Sequence, residues 1–246
     1  MNIITSKANN VVKKAKKLHH KKYRKDSYLI EGWHLFEEAV SSGEELIRIF
    51  ALAEYAERLA DFSQVIFVSP EILADLADSK TPQGIVAEVA FEREEIPAEL
   101  SGRYLFLEDV QDPGNVGTII RTADAAGFDG VFISSASADI YNLKTLRSMQ
   151  GSHFHLPVYR IDTADFIRLA QSSRLPILAS TLSSTSIDYR EVDSKESFAL
   201  VMGNEGQGIS PEMTAAADIL VHISMKGQAE SLNVAVAAGI LIFHLS

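Results

Sequence analysis

The chain is expected to be an α/β protein of two units, each a sheet with helices packed on it. Three observations carry that reading. Short β-rich apolar runs alternate with segments of helical periodicity along almost the whole length. The alternation is interrupted around Glu92–Gly102, a charged stretch holding Pro97, and then restarts with stronger strands. A length of 246 residues suits one large or two modest domains. The boundary is accordingly set at 1–98 and 99–246.

Taken in order, YLIEG predicts a strand, Trp33–Val40 an amphipathic helix, LIRIFAL a strand, Ala53–Ala60 a helix and VIFVS a strand. Pro70–Ala77 reads as a helix with Ser69 at its N-cap and Pro70 in its first position. Gly84–Phe91, GIVAEVAF, closes the unit as a strand. In the second unit YLFLE, VFIS, PVYRI, PILAS, FALVMG and ILVHIS are the strands. Thr118–Ala126, Leu143–Gln150, Asp165–Ser172 and Ser231–His244 are the helices between and after them. Strands that alternate with helices favour a parallel sheet covered on both faces, with ligands at the carboxyl ends of the strands.

The net charge of −10 hides a strong asymmetry. Residues 1–25 hold nine bases (Lys7, Lys13, Lys14, Lys16, Lys17, Lys21, Lys22, Arg24 and Lys25) and no acid, which leaves fourteen bases against thirty-three acids elsewhere. A basic arm on an acidic body suits phosphate tracking, because lysines displace condensed counterions. It suits a solvated, partly helical tail equally well. The absence of cysteine excludes disulfides, cysteine-ligated zinc and thiol nucleophiles, and fits a reducing cytoplasm. MNIITSKANN lacks the apolar core of a signal peptide, and Val234–Leu245 falls short of the roughly 20 residues that span a bilayer, so a soluble protein is expected. His153 and His155, two apart on an expected strand, would share a face but have no third ligand, so no metal site is expected. Trp33 and Phe36 read as core.

Three blocks at strand ends hold the candidate chemistry. In DPGNVGTIIR, Asn115 is placed as the cap of a helix on which Arg121 follows, and Gly114 and Gly117 allow close backbone approach. In MGNEGQG, Gly203, Gly206 and Gly208 surround Glu205 and make a bent loop whose amides can face a ligand. Neither G-x-G-x-x-G nor G-x-x-x-x-G-K-[ST] occurs, which removes the usual dinucleotide and P-loop readings. In SLNVAVAAG, Ser231 is placed as the cap of a helix that is apolar on every side and must be buried in its own domain or against another subunit. Each block alone is also explicable as a capped helix or a turn.

Together, PGNVGTIIRTADAAGFDG, VMGNEGQGIS and ISMKGQAESLNVAVA resemble the motifs of the SpoU/TrmH family of SPOUT methyltransferases, over roughly Tyr104–Leu245. The resemblance implies S-adenosylmethionine-dependent methylation of a ribose 2′-hydroxyl in structured RNA, with 23S rRNA as the expected substrate. It implies a trefoil knot in the C-terminal domain, a homodimer formed through that domain, and an L30e-like substrate-binding domain in front of it. By the same likeness Arg121, Asn115, Glu205, Ser231 and Asn233 form the catalytic set. Glu205 is expected to hold Arg121 in one rotamer. Gly203, Ile223, Leu232, Thr181 and Met202 would hold the cofactor. Lys13, Lys14, Lys16, Lys17, Lys21, Lys22 and Arg24 would bind RNA. Two other readings remain open: a non-catalytic RNA-binding or ribosome-assembly protein, and a methyltransferase acting on tRNA or on a base atom.

Overall fold

The strand runs and helical segments fold into two compact units in the computed structural model, which describes residues 2–90 and 95–246. One unit comprises Met1–Arg93 together with Asp139–Phe154; the other comprises Glu94–Ala138 together with His155–Ser246. The boundary segment at Glu92–Gly102 lies partly outside the described residues, as does Phe91 at the end of the predicted strand.

In the first unit, β1 (Ile3–Ile4), β4 (Val65–Val68), β3 (Leu46–Ala51), β5 (Ile85–Ala90) and β2 (Ser27–Glu31) form a mixed sheet in that spatial order. β1 and β3 run parallel to β4, while β3 and β2 run antiparallel to β5. Four helices pack with it: α1 (Asn10–Lys17), α2 (Trp33–Ser41), α3 (Pro70–Leu76) and α5 (Leu143–Met149). The basic arm is therefore not a tail. Val12 and Ala15 of α1 are buried and α1 lies on α3, so the lysines occupy the outer face of an anchored helix. The helix expected at Ala53–Ala60 is only a 3₁₀ turn, Ala53–Tyr55, followed by irregular turns. Ser69 holds the N-cap position of α3 but its hydroxyl makes no capping bond.

The segment Asp139–Phe154, which the sequence alternation placed after the boundary, belongs to this first unit, where α5 packs against β2. Arg147 of α5 reaches the buried carboxylate of Glu31 at 3.2 Å, and the amides of Asp78 and Ser79 donate to the same group. His153 and His155 are not on a strand. His153 sits in the 3₁₀ turn Ser152–Phe154 with a ring nitrogen 3.0 Å from the Tyr28 hydroxyl, and β8 begins only at Val158.

The second unit holds a seven-stranded sheet with the order β10 (Ile187–Asp188), β12 (Ile219–His222), β9 (Ile177–Ser180), β11 (Phe198–Met202), β6 (Arg103–Leu107), β7 (Gly130–Ile133) and β8 (Val158–Arg160). Every adjacent pair is parallel. Alternation along the strands divides the core in two. Tyr104, Phe106, Phe132, Ile177, Ala179, Ala199 and Val201 pack with Phe166, Ile167 and Ala170 of α6 (Thr163–Ser172) and Met213 of α7 (Pro211–Ala216). The Phe106 and Phe166 rings stack at 4.2 Å between centroids. The alternate residues Leu105, Leu107, Val131, Ile133, Leu178 and Leu200 are equally buried, on the face where α4 (Pro113–Ala125) meets β7 and α8 (Val234–Leu245) meets β11. With all strands parallel, the three sequence blocks follow β6, β11 and β12 at the carboxyl end of the sheet. No helix among the described residues is long and apolar enough to cross a membrane.

Candidate active site

Parallel neighbours β12, β9 and β11 end beside one another, and the residues that follow them are Ile223, Thr181 and Gly203. The Thr181 amide donates to the Val221 carbonyl at 3.0 Å, which ties two of these ends together. Among the described residues, the main-chain N–H groups of Gly203, Ile223 and Leu232 donate to nothing within the chain. They are free to meet a ligand, and the amide of the buried Gly203, away from water, needs an acceptor.

The loop after Met202 is shaped by Gly203 and Asn204. Gly203 is buried, and a Cβ there would fall inside the backbone of Gly208 and Ile209, so only glycine lets the loop close on itself. Asn204 exchanges two backbone hydrogen bonds of 2.9 Å with Gly208. Its side-chain oxygen accepts from the amides of Gly206 and Gln207, and its Nδ2 donates to the Asp109 carbonyl at 2.8 Å. The loop thus presents Glu205 in a fixed place. Behind it, the buried Glu108 carboxylate accepts from the Ser210 amide at 2.8 Å and from the Thr163 hydroxyl at 3.1 Å. Asp109, at φ 58°, is held by Ser134, whose hydroxyl donates to its carboxylate at 2.6 Å and accepts from its amide at 2.9 Å.

The caps differ from the sequence expectation, and the difference builds the site. Asp112, not Asn115, caps α4: its carboxylate accepts from the Asn115 amide at 3.0 Å, and Pro113 takes the first helical position. Asn115 lies in the first turn with its side chain released from capping. Asn233, not Ser231, caps α8, accepting from the amides of Ala235 and Val236 at 2.9 and 3.3 Å. Ser231 is exposed in the preceding loop. Because α4 and α8 pack side by side, Asn233 Nδ2 donates to Asn115 Oδ1 at 3.1 Å, and Asn115 Nδ2 donates to Glu205 Oε1 at 3.0 Å.

Glu205 also accepts from the Gln111 and Asp112 amides at 3.1 and 3.0 Å, so its carboxylate sits at the positive end of α4. Desolvation pushes its pKa upward, but the donors from Asn115, Gln111 and Asp112 together outweigh that and hold it below the usual glutamate value. Glu205 therefore does not hold Arg121, contrary to expectation. Arg121 lies exposed on the outer side of α4 and, among the described residues, forms no hydrogen bond or ion pair.

The comparisons with known proteins point the same way. Residues 102–243 match the model of the SpoU rRNA methylase family, and residues 9–87 match that of the MRM3-like substrate binding domain. This chain belongs to the SpoU rRNA methylase family. A relative in Bacillus subtilis (strain 168), 23S rRNA (guanosine(2553)-2′-O)-methyltransferase RlmP, is 40% identical over 100% of this chain and 99% of its own. The AdoMet-bound rRNA methyltransferase of Sinorhizobium meliloti superposes with a TM-score of 0.89 at 32% identity, covering 99% of this chain and 97% of that one. The SpoU methyltransferase AviRb of Streptomyces viridochromogenes, in complex with AdoMet, gives 0.83 at 27% identity, covering 96% and 97%.

For this SpoU-family site, the fold brings Asn115, Glu205 and Asn233 into one hydrogen-bonded chain and sets Gly203, Thr181 and Ile223 at neighbouring strand ends. Met202 is buried as the last residue of β11, and Leu232 is exposed just ahead of α8. Sequence reasoning missed Glu108, Asn204 and Asp112. The signal for Asn204 was present, because asparagine two residues before glycine in a turn accepts the next amides. Glu108 looked like the polar end of a strand and gave no such signal.

In the basic helix region, Lys7 and Lys16 pair with Asp75 at 3.1 and 2.8 Å. Arg24 departs from its expected RNA-binding role: its side chain is 4% exposed and its guanidinium is bound to Asp139. An arginine fixed in the interior cannot track phosphates.

Proposed function

We propose that this chain transfers a methyl group from S-adenosylmethionine to the 2′-hydroxyl of a ribose in 23S rRNA. The observation that carries the reading is the hydrogen-bonded chain Glu205–Asn115–Asn233, which joins residues 90 and 118 positions apart at the end of the sheet. Family membership and relatives named as 23S rRNA 2′-O-methyltransferases support it. The donor set fits the cofactor, since free main-chain donors at Gly203, Ile223 and Leu232 suit a polar, nucleoside-containing ligand. Thr181 and Met202 line the same strand ends. When bound, the cofactor supplies an electrophilic methyl on a positively charged sulfur.

The residues do the rest by position and charge. Glu205 and Asn233 hold Asn115 from two sides, so its amide has one orientation. The Arg121 side chain carries hydrogen-bond donors and no acceptor atom, so the hydroxyl proton leaves to solvent water rather than to it. It offers donors to an RNA phosphate and to the 2′-oxygen as negative charge grows there. Ser231, exposed before α8, completes the polar mouth.

The same proposal assigns residues 1–98, with which Asp139–Phe154 forms one unit, to RNA binding on an L30e-like fold, with Lys13, Lys14, Lys16, Lys17, Lys21 and Lys22 on phosphates, and the rest of 99–246 to catalysis. It includes a trefoil knot, which the family resemblance implies. The proposal also includes a homodimer through α8 and a cytoplasmic location, which suits an rRNA substrate. The test incubates the protein with methyl-labelled cofactor and 23S rRNA from cells lacking the enzyme, then maps 2′-O-methyl nucleosides, with the position equivalent to guanosine 2553 as the first candidate. Label on a ribose of 23S rRNA supports the reading. Label on a base, on tRNA only, or nowhere overturns it.

A further inference from the structure

The outer face of α1 and the turn that follows it form a basin of about 560 Å³ lined by Lys13, Lys14, Lys16, Lys17, His20 and Tyr23. Its aromatic member is displayed rather than packed: Tyr23 ends the 3₁₀ turn Lys21–Tyr23 and is 43% exposed. Two ammonium groups approach the ring, Lys22 Nζ at 4.9 Å and Lys17 Nζ at 5.6 Å from its centroid, and the His20 ring meets it edge-on at 6.3 Å. Lys16 is shared with Asp75, whereas Lys13, Lys14, Lys17 and Lys22 form no ion pair among the described residues.

Phosphate tracking by itself needs lysines and no ring. A ring at the centre of the lysines adds a surface on which a planar base can lie, and base stacking on tyrosine is the main sequence-tolerant contact for unpaired nucleotides. In an A-form duplex the bases are already stacked on one another and their faces are closed to side chains. We infer that Tyr23 is a stacking platform for an unpaired RNA base, with Lys17 and Lys22 gripping the phosphates that flank it. An anionic membrane is the weaker match. The apolar residues of α1, Val12 and Ala15, are turned into the protein, so the helix has no apolar face to insert. The inference rests on the RNA reading of the chain and sharpens it: the first unit grips a loop, bulge or other unpaired segment rather than a continuous helix.

The test measures binding of the full-length protein, by fluorescence anisotropy, to a labelled oligouridylate and to an RNA duplex of the same length. Tyr23→Ala is expected to weaken the single strand about 10-fold, within the range that base–aromatic stacking supplies, and the duplex by less than about 2-fold. Tyr23→Phe should bind like the parent, and Tyr23→Leu, which keeps the apolar bulk, should behave like Tyr23→Ala. Replacing Lys17 and Lys22 with Gln should weaken both ligands and flatten the salt dependence. The exposed position of Tyr23 predicts unchanged thermal melting in all variants. Equal loss for both ligands in Tyr23→Ala, or no loss for the single strand, overturns the platform. So does Tyr23-dependent binding to phosphatidylserine vesicles without any effect on RNA. The methylation assay fails or succeeds separately. If the parent protein methylates no RNA but the Tyr23 contrast holds, the platform stands and the enzymatic reading falls.

Discussion

Arg121 and Glu205, the two charged residues of the proposed site, do not touch. Glu205 has its donors already: one amide side chain and two backbone N–H groups at the start of α4. Arg121, on the exposed side of the same helix, has donors that no group among the described residues takes up, and in the proposed function it offers them to RNA. Replacing Arg121 with Ala should therefore lower the methyl-transfer rate by about 10²–10³-fold, the usual effect of removing one preorganised donor from a developing negative charge. S-adenosylmethionine binding, measured by calorimetry, should stay within about 2-fold. A matching loss of cofactor affinity would place Arg121 in the cofactor site instead. For Glu205 the prediction concerns pH. Its folded-state pKa is depressed, so it contributes stability above the pKa of the unfolded chain and loses it as pH falls through the folded value. Urea midpoints of the parent and of Glu205→Gln should differ at pH 7, and the gap should close as pH is lowered through roughly 4.5 and below. A gap that widens in acid would contradict the hydrogen-bonding pattern.

At the scale of elements, the loop between β11 and α7 depends on the lack of a side chain at one of its glycines and not at another. A Cβ on Gly203 meets the backbone of Gly208 and Ile209, which no rotamer can relieve, whereas one on Gly206 would find only the Asn204 side-chain oxygen at 3.7 Å. Gly203→Ala should lower the melting temperature and abolish cofactor binding, while Gly206→Ala should leave both close to the parent. Equal effects would mean that the loop is not closed as described. The contrast also shows what local pattern can reveal. The second unit's six principal strands were legible because each is a β-rich run set between helical stretches, and the blocks were legible because glycine and amide residues cluster at their ends. The two-residue strands β1 and β10 carry too few residues for any periodicity to register. The caps were misplaced by local reasoning. Asn115 and Ser231 are good capping residues, but so are Asp112 and Asn233, and Pro113 in the first helical position is a local signal that favours Asp112. What no window of sequence contains is the packing of α4 on α8, which joins residues more than a hundred positions apart and brings Asn233 to Asn115. Arg24 and Lys13 likewise look alike in a basic run. Only the fold shows that one is turned inward to Asp139 and the other outward.

For the whole molecule, the closing helix poses the remaining question of assembly. One side of α8 supplies Val234, Ala238, Leu241, Ile242 and Leu245 to the core. The other side keeps an apolar stripe with i, i+4, i+7 spacing: Val236 is 52% exposed, Ile240 partly exposed and Phe243 59% exposed. Polar residues would be expected on that side if it faced water in the working protein, since a soluble monomer seldom leaves a continuous apolar stripe uncovered. Leu182 and Ile187, also exposed in the same unit, add to the apolar surface available. A second copy of the chain can cover its own stripe by twofold symmetry, the commonest solution for soluble proteins. The proposed homodimer therefore predicts that the parent sediments as a dimer at micromolar concentration. Val236→Glu and Phe243→Glu should each shift it to monomer, because a carboxylate buried without a partner at such an interface costs more than the lost apolar contact. Both positions point away from the core of their own unit, so circular dichroism should show the fold retained. A parent that sediments as a monomer, or variants that stay dimeric, would mean that something other than a second copy covers this helix.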